Sequence, residues 1–312
     1  MRRIESLFPM KPKPEHATNG CGLCGSTSWR ELYTTKDRLG NSDESFSIVE
    51  CQGCGVLRTL PEMSEVELAS FYPDDYWGGP EPSQKWISSS QFEKTQFLSR
   101  CRLSGGGSIL DVGCGSGFFL RALESRKWER WGIETSPGAS KAAEAVIGSG
   151  HVFTGTLTGS SWEASKFDVV TFWSALEHTN EPRMNLREAR RIIKTGGTLI
   201  VQLPNAASFQ AQLFGGDWFA LDAPRHRYHF TLAVLDRLLT ETGFEVYRTS
   251  YFSRAHNSPA LRQSLKAKLS TSESSMISQV QFYLSLAVVK PFDSAISAFG
   301  KGATLTVAAR AV

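Results

Sequence analysis

Between residues 105 and 250 the chain alternates short apolar runs with amphipathic stretches of helical period. Ile109, Leu110 and Val112 make an apolar strand, and Phe118, Phe119, Leu120, Ala122 and Leu123 begin a helix after it. WGIETS at 131–136 reads as a second strand, followed by the helical stretch SPGASKAAEAV, and HVFTGTL at 151–157 as a third. FDVVTFWSAL at 167–176, the helix NLREARRIIK and the strand TLIVQLP continue the repeat. The helix LAVLDRLLTETG and the strand FEVYRTSYF close it, and ATLTVAARA supplies a last strand near 303–310. This alternation predicts an α/β domain on a doubly wound, mostly parallel sheet.

Upstream the pattern changes. Residues 1–18 are rich in proline and charge and read as a loose tail. CGLCG at 21–25 and CQGCG at 51–55 then form two Cys-x2-Cys knuckles with 26 residues between them. Each knuckle is a tight turn whose glycine lets backbone N–H groups face the sulfurs, and four thiolates satisfy a tetrahedral zinc ion. Cys21, Cys24, Cys51 and Cys54 are the expected ligands of a zinc ribbon over 19–62, with WRELYTT and SFSIVEC as its strands. Ordinary buried or redox cysteines, and iron in place of zinc, are the alternatives. Residues 63–104 connect the two parts through a short helix with Ser64 as its N-cap and a second helix over SSSQFEKTQFLSRCRL. Between them Tyr72, Tyr76 and Trp77 pack the ribbon onto the main domain, unless Tyr76 closes a ligand site from above.

A length of 312 residues suggests two domains, or one large domain with a smaller attachment, and 41% hydrophobic content sustains a buried core. The net charge of +3 excludes a molecule-wide attraction for nucleic acid. Residues 19–62 hold four basic and six acidic side chains, a net −2, which is the wrong sign for a phosphate-binding module. The first residues lack the apolar core of a signal peptide, and FYLSLAVV at 282–289 is too short to span a bilayer. The expected compartment is the cytoplasm, where cysteines stay reduced.

Candidate chemistry concentrates in the first strand–helix turn. Gly113, Gly115 and Gly117 alternate there, and a glycine admits a ligand to the backbone because no Cβ intervenes. Such turns often hold a pyrophosphate. Asp111, immediately before this one, would repel a pyrophosphate and suits a ligand carrying an ammonium or sulfonium charge. Glu134 ends the second strand 19 positions after Gly115, where one carboxylate can accept both ribose hydroxyls of an adenosine. A plain turn is the alternative.

DVGCGSG, GIETS, FDVVTFWSALEHTNEP and GGTLIVQLPN together resemble the successive motifs of class I S-adenosylmethionine-dependent methyltransferases, over roughly residues 105–250. The resemblance implies a Rossmann-like sheet with an antiparallel last strand, and a methyltransferase domain over 105–312 with an insertion at 254–302. It implies S-adenosylmethionine as methyl donor, held by Asp111, Gly113, Gly115, Gly117 and Glu134. Trp173 and Ser174, at the exit of the fourth strand, are further donor contacts on this reading. An aromatic ring beside a sulfonium gains about 0.5–2 kcal/mol. The family often places an acid after the third strand to hold adenine, where this chain has Thr156, Leu157 and Thr158. Glu177 and His178 match the family's Leu-Glu-His, with His178 as a base or an orienting group.

The loop NAASFQAQLFGGDWFALDAPRHRYHFT is long, aromatic and histidine-rich, and loops at that strand edge carry specificity. Its segment PRHRYHFT sets His226, Tyr228 and His229 before a helix that starts at Thr231. The segment resembles the Glu-His pair with which sugar C-methyltransferases bearing an N-terminal zinc ribbon deprotonate substrate. His226 falls on the base and Arg225 on its acidic neighbour, where an arginine would suit an anionic substrate. A structural His226 is the alternative. Residues 254–302 carry a net +4 and read as a lid, or as a surface that meets a partner subunit or anionic lipid. The expected reaction is in-line methyl transfer to a hydroxyl or carbon of a small molecule or glycan, with His226 or His178 as base. A zinc-ribbon RNA methyltransferase and a non-catalytic adenosyl-binding scaffold are the rivals.

Overall fold

The structure, a computed structural model, describes residues 20–39, 44–72, 84–103, 105–268 and 276–312. The expected tail and the expectations for Tyr76 and Trp77 lie outside these residues. Three antiparallel strands form the ribbon: β1 (Trp29–Lys36), β2 (Ser45–Cys51) and β3 (Leu57–Leu60). Phe46, Ile48 and Val49 of β2 are buried, so the ribbon has an apolar face to dock. The connector holds α1 (Glu65–Ala69), started by a reciprocal Ser64–Glu67 capping box, and α2 (Gln84–Arg100).

The main domain alternates as its apolar pattern predicts. In chain order it runs β4 (Gly107–Val112), α3 (Phe118–Ala122), β5 (Trp128–Glu134), α4 (Pro137–Ile147), β6 (Val152–Thr154), β7 (Phe167–Trp173), α5 (Pro182–Ile192) and β8 (Ile193–Pro204). It continues with α6 (Phe209–Phe214), β9 (Tyr228–His229), α7 (Leu232–Glu241), β10 (Phe244–Ser250), α8 (Asn257–Lys268), α9 (Met276–Ile296) and β11 (Thr304–Ala311). Seven strands lie in the order β10-β11-β8-β7-β4-β5-β6. Neighbours from β8 to β6 are parallel, and β11 runs antiparallel to both β8 and β10. β4 and β7, covered on both faces, are buried along almost their whole length. The expected third strand shrinks to three residues because Gly155, at φ 150°, turns the chain away.

β9 pairs antiparallel with β3, Leu57 opposite His229 and Arg58 opposite Tyr228, and becomes the fourth strand of the ribbon sheet. The knuckle residues Cys21, Leu23, Cys51, Cys54 and Val56 share one apolar cluster with Tyr228, Phe230 and Val234 of the main domain. The ribbon is therefore built into the methyltransferase side of the molecule. In the 254–302 segment, α8 packs Leu261 and Leu265 against Trp218 and Leu221, while Tyr283, Leu284 and Val288 of α9 are exposed. Among the described residues no helix is long and apolar enough to cross a membrane.

Candidate active site

The glycine turn adopts the backbone that its sequence calls for. Gly113, Gly115 and Gly117 have φ of 73°, 54° and 76°, a left-handed region costly to residues with a side chain. A Cβ on Gly113 would lie 2.8 Å from Ala175 Cβ, whereas one on Gly115 meets nothing within 4 Å. Gly115 thus faces open space. Glu134, at the end of β5, is buried and accepts from the backbone N–H of Gly115 at 2.9 Å and of Ser136 at 2.8 Å. Oε2 takes only the Gly115 donor and keeps a lone pair, whereas Oε1 accepts from Ser136 and also from Thr135 Oγ1 at 3.4 Å.

Asp111 is buried at the end of β4 and accepts from Thr171 Oγ1 at 2.7 Å. Burial pushes its carboxyl up to about 7, against the pull of the Lys94 ammonium and the Thr171 hydroxyl. A cation brought beside it would restore the charged form. Trp173, at the end of β7, packs edge-on against Phe119 at 5.3 Å, and its Nε1–H has no partner among the described residues. Ser174 follows, exposed and at φ 54°. Thr156 and Thr158 are exposed beyond β6 and Leu157 is buried, so no carboxylate is offered at the adenine end of that strand.

The histidines gather at the exit of β7 and in the loop that follows β8. The rings of His178 and His226 meet edge to face at 4.6 Å. Nδ1 of His178 lies 3.1 Å from the carbonyl of Arg225, and Nδ1 of His226 lies 3.0 Å from that of Ala220. A carbonyl only accepts, so both Nδ1 atoms carry the proton and both Nε2 atoms keep a lone pair. Burial holds both imidazoles below the usual 6.5, so they are neutral near pH 7. Glu177 is buried beside them, neither carboxyl oxygen has a hydrogen-bond partner among the described residues, and burial pushes it up to about 8. It is a neutral acid at neutral pH.

The remaining candidates of this loop are used structurally. Tyr228 Oη donates to the carbonyl of Asn180 at 3.2 Å and lies against the first knuckle, where a Cβ on Gly22 would come within 2.9 Å of it. Thr59 gives its one hydroxyl proton to the carbonyl of His226 at 2.6 Å and accepts from His229 Nε2 at 3.0 Å. Burial holds His229 down to about 3. Arg225 corrects the expectation of a substrate-facing arginine. It is fully buried, paired with Asp37 at 2.6 Å and Asp222 at 2.7 Å, and donates to the carbonyl of Phe71. Its charge is neutralised by the protein's own carboxylates.

The knuckle sulfurs form one cluster. Cys21 and Cys54 Sγ are 3.6 Å apart and Cys24 and Cys51 Sγ 3.5 Å, and all four atoms lie within 4.8 Å of one another. Four sulfurs at about 2.3 Å from a shared centre would be roughly 3.8 Å apart, so the set fits a tetrahedral ion. Gly25 and Gly55, at φ 76° and 74°, close the two turns with N–H groups bonded to the carbonyls of Cys21 and Cys51. Without a cation, the hydrogen bond from Cys54 pulls the Cys21 thiol down to about 5 while the Cys54 thiol is pushed up.

The sequence pattern singled out the glycine turn, both strand-end carboxylates, the knuckles and the two central histidines. It did not single out Lys94, whose Nζ lies over the Trp173 ring, and it named Glu177 only within the Leu-Glu-His match, without its unpartnered carboxyl. Tyr72, expected to pack the ribbon, also places its hydroxyl 3.3 Å from His178 Nδ1. For Glu177 a signal existed, an acid next to a histidine at a strand exit. A lysine within a polar helix gives none.

A strand–glycine turn–helix closed by Glu134 and an antiparallel seventh strand define an S-adenosylmethionine-dependent methyltransferase. Residues 85–249 match the family described as a methyltransferase domain, and the chain belongs to that family. A ubiquinone biosynthesis O-methyltransferase of Xanthomonas oryzae pv. oryzae is 24% identical over 174 residues, covering 54% of this chain and 72% of the relative. One from Azoarcus sp. is 25% identical over 185 residues, covering 53% and 79%. Among solved structures, a methyltransferase of Thermotoga maritima described as a possible histamine N-methyltransferase aligns at 20% identity and a TM-score of 0.48. That alignment covers 72% of this chain and 90% of the other.

Proposed function

We propose that this methyltransferase acts on a hydroxyl or carbon acid of a small molecule or glycan, and that His226 takes the acceptor's proton. The observation that carries the reading is the pair of neutral, buried imidazoles, each with its Nδ1–H fixed on a carbonyl and its Nε2 unprotonated, that of His226 lying 3.8 Å from Asp222 Oδ2. A base is useful when it is unprotonated at working pH and rigidly held. His178 orients the pair and is the second candidate base. S-adenosylmethionine supplies a methyl already activated on a sulfonium. Glu134 holds the ribose, the glycine turn admits the nucleoside to the backbone, Trp173 and Ser174 flank the methyl, and Asp111 takes the ammonium. The acceleration then comes mainly from alignment and exclusion of water.

The named relatives act in ubiquinone biosynthesis, which supports a small-molecule acceptor. The net −2 of residues 19–62 argues against RNA. Cys21, Cys24, Cys51 and Cys54 hold one structural zinc on this reading, and its role is to keep the ribbon folded. A reducing cytoplasm keeps those thiolates available. The test is incubation of the purified protein with methyl-labelled donor and fractionated bacterial metabolites and glycans. Label should enter one low-molecular-weight or glycan fraction. Label only in RNA, or donor binding without any transfer, sinks the proposal. Elemental analysis should find one zinc per chain. A second metal bound by Glu177, His178 and His226, whose ligand atoms also lie within 4.8 Å of one another, would overturn the free base.

A further inference from the structure

Helix α9 is laid down inside out. From Tyr283 to Phe299, through the end of the helix and the turn after it, every described exposed position is tyrosine or apolar and none is charged. Leu284, Val288 and Phe292 follow at four-residue spacing and so share a face. They are 63%, 74% and 55% exposed, and Phe299 is 82% exposed, so a ridge of large apolar side chains faces outward. The inward side holds the one acid of this helix. Asp293 is buried and hydrogen-bonded to Gln210, and Ser297, also buried, donates to the Asp293 carbonyl at 2.9 Å. Packing fixes the orientation. Leu286 and Val289 rest on the cluster that contains Trp218, Leu261 and Leu265, and Phe292 meets Phe209 of α6 at 5.1 Å.

Charge around the ridge narrows what can cover it. Lys301 Nζ reaches the carbonyl of Ala207 at 3.4 Å and Lys268 Nζ that of Leu213 at 2.8 Å, so one exposed ammonium stands at each end of α6. The same segment exposes Arg254, Arg262 and Lys266, and among its described residues it exposes no carboxylate. A second copy of the chain would bring the same cations to the rim and no acid to meet them. An anionic bilayer supplies hydrocarbon for the ridge and phosphate for the ammoniums. We infer that the outward face of α9, with Lys268 and Lys301 beside it, docks on an anionic lipid bilayer. The inward side stays on α8 and Trp218, so the helix lies in the plane of the headgroups. The surface is tied to the loop that carries the proposed base. The Phe219 N–H donates to Ser264 Oγ of α8 at 2.8 Å, and the next residue, Ala220, holds His226 Nδ1. The inference is independent of the acceptor and of the histidine base.

The test is co-sedimentation of the intact chain with vesicles of phosphatidylglycerol and phosphatidylcholine, against vesicles of phosphatidylcholine alone. Wild type should bind the anionic vesicles about 10- to 30-fold more tightly, and raised salt should narrow that gap. Lys268→Gln with Lys301→Gln should lose about fivefold per lysine on anionic vesicles and little on neutral ones. Leu284→Glu with Val288→Glu should weaken binding to either vesicle by about 100-fold. Both positions are exposed, so affinity for S-adenosylmethionine, read by calorimetry as the check of folding, should stay unchanged. Leu284→Ala with Val288→Ala adds no charge and should show a smaller loss of about 10-fold, which decides the matter if the glutamate variant misfolds. A wild type that ignores anionic vesicles, or binding that neither pair of apolar substitutions weakens, overturns the inference. So does a wild-type dimer in sedimentation equilibrium that the same substitutions split, because a second copy would then cover the face.

Discussion

The donor pocket and the histidine pocket share one edge of the sheet but are assembled in opposite ways. Glu134 and Trp173 sit at the last position of their strands and Asp111 one residue before the end of β4, and the glycines follow β4 directly. Their placement follows from the sheet itself. The histidine pocket takes Asp37 and Thr59 from the ribbon side, Tyr72 from the connector, His178 from the exit of β7 and His226 from a long loop. Donor binding should therefore survive damage to the ribbon, and turnover should not.

The largest effect is expected at His226. His226→Ala should lower turnover by about 10²- to 10⁴-fold and leave donor affinity unchanged. The wild-type rate should rise with pH as the imidazole loses its proton. Because burial holds His226 below 6.5, that rise should fall below pH 6.5 and the rate should be level by neutral pH. The variant should lack this limb. Near-normal turnover with an unchanged profile would move the base to His178 or remove it altogether.

Asp37→Ala tests the docking of the ribbon. It leaves the fully buried Arg225 guanidinium with Asp222 as its remaining carboxylate, and breaking a buried pair costs about 3 kcal/mol of stability. Urea unfolding measures the loss, and turnover of the folded fraction should fall with it. If donor affinity fell in step, the two pockets would be one cooperative unit. The smallest effect belongs to the donor side. Glu134→Ala should weaken donor binding by about 1–3 kcal/mol and alter the turnover at saturating donor least. Calorimetry with unchanged affinity would refute the ribose assignment.

The same contrast explains what could be read before the structure. Asp111, the three glycines and Glu134 announce themselves because strand ends and positive φ are local properties of the chain. The knuckles do so through spacing alone. The burial of Arg225 was not legible, because its partner Asp37 is 188 positions away. Nor was β9, whose two residues are too few to show a period of two. Lys94 was hidden for a third reason. Its helix is polar overall, and only the tertiary position of Trp173 and Phe119 distinguishes it from the lysines that face water.

The short pairing of β9 with β3 also limits how the chain can change length. Successive side chains of a strand face opposite ways, so Tyr228 reaches the first knuckle while His229 turns to Thr59. One residue inserted between His226 and Tyr228 would reverse that assignment, sending a phenol to Thr59 and an imidazole to the knuckle. Two inserted residues would restore the facing but lengthen the tether that anchors the His226 carbonyl to Thr59. Natural variants of this enzyme should therefore keep the spacing from the second knuckle to β3, and from His226 to β9, constant. Length differences should instead gather earlier in the loop, before Asp222.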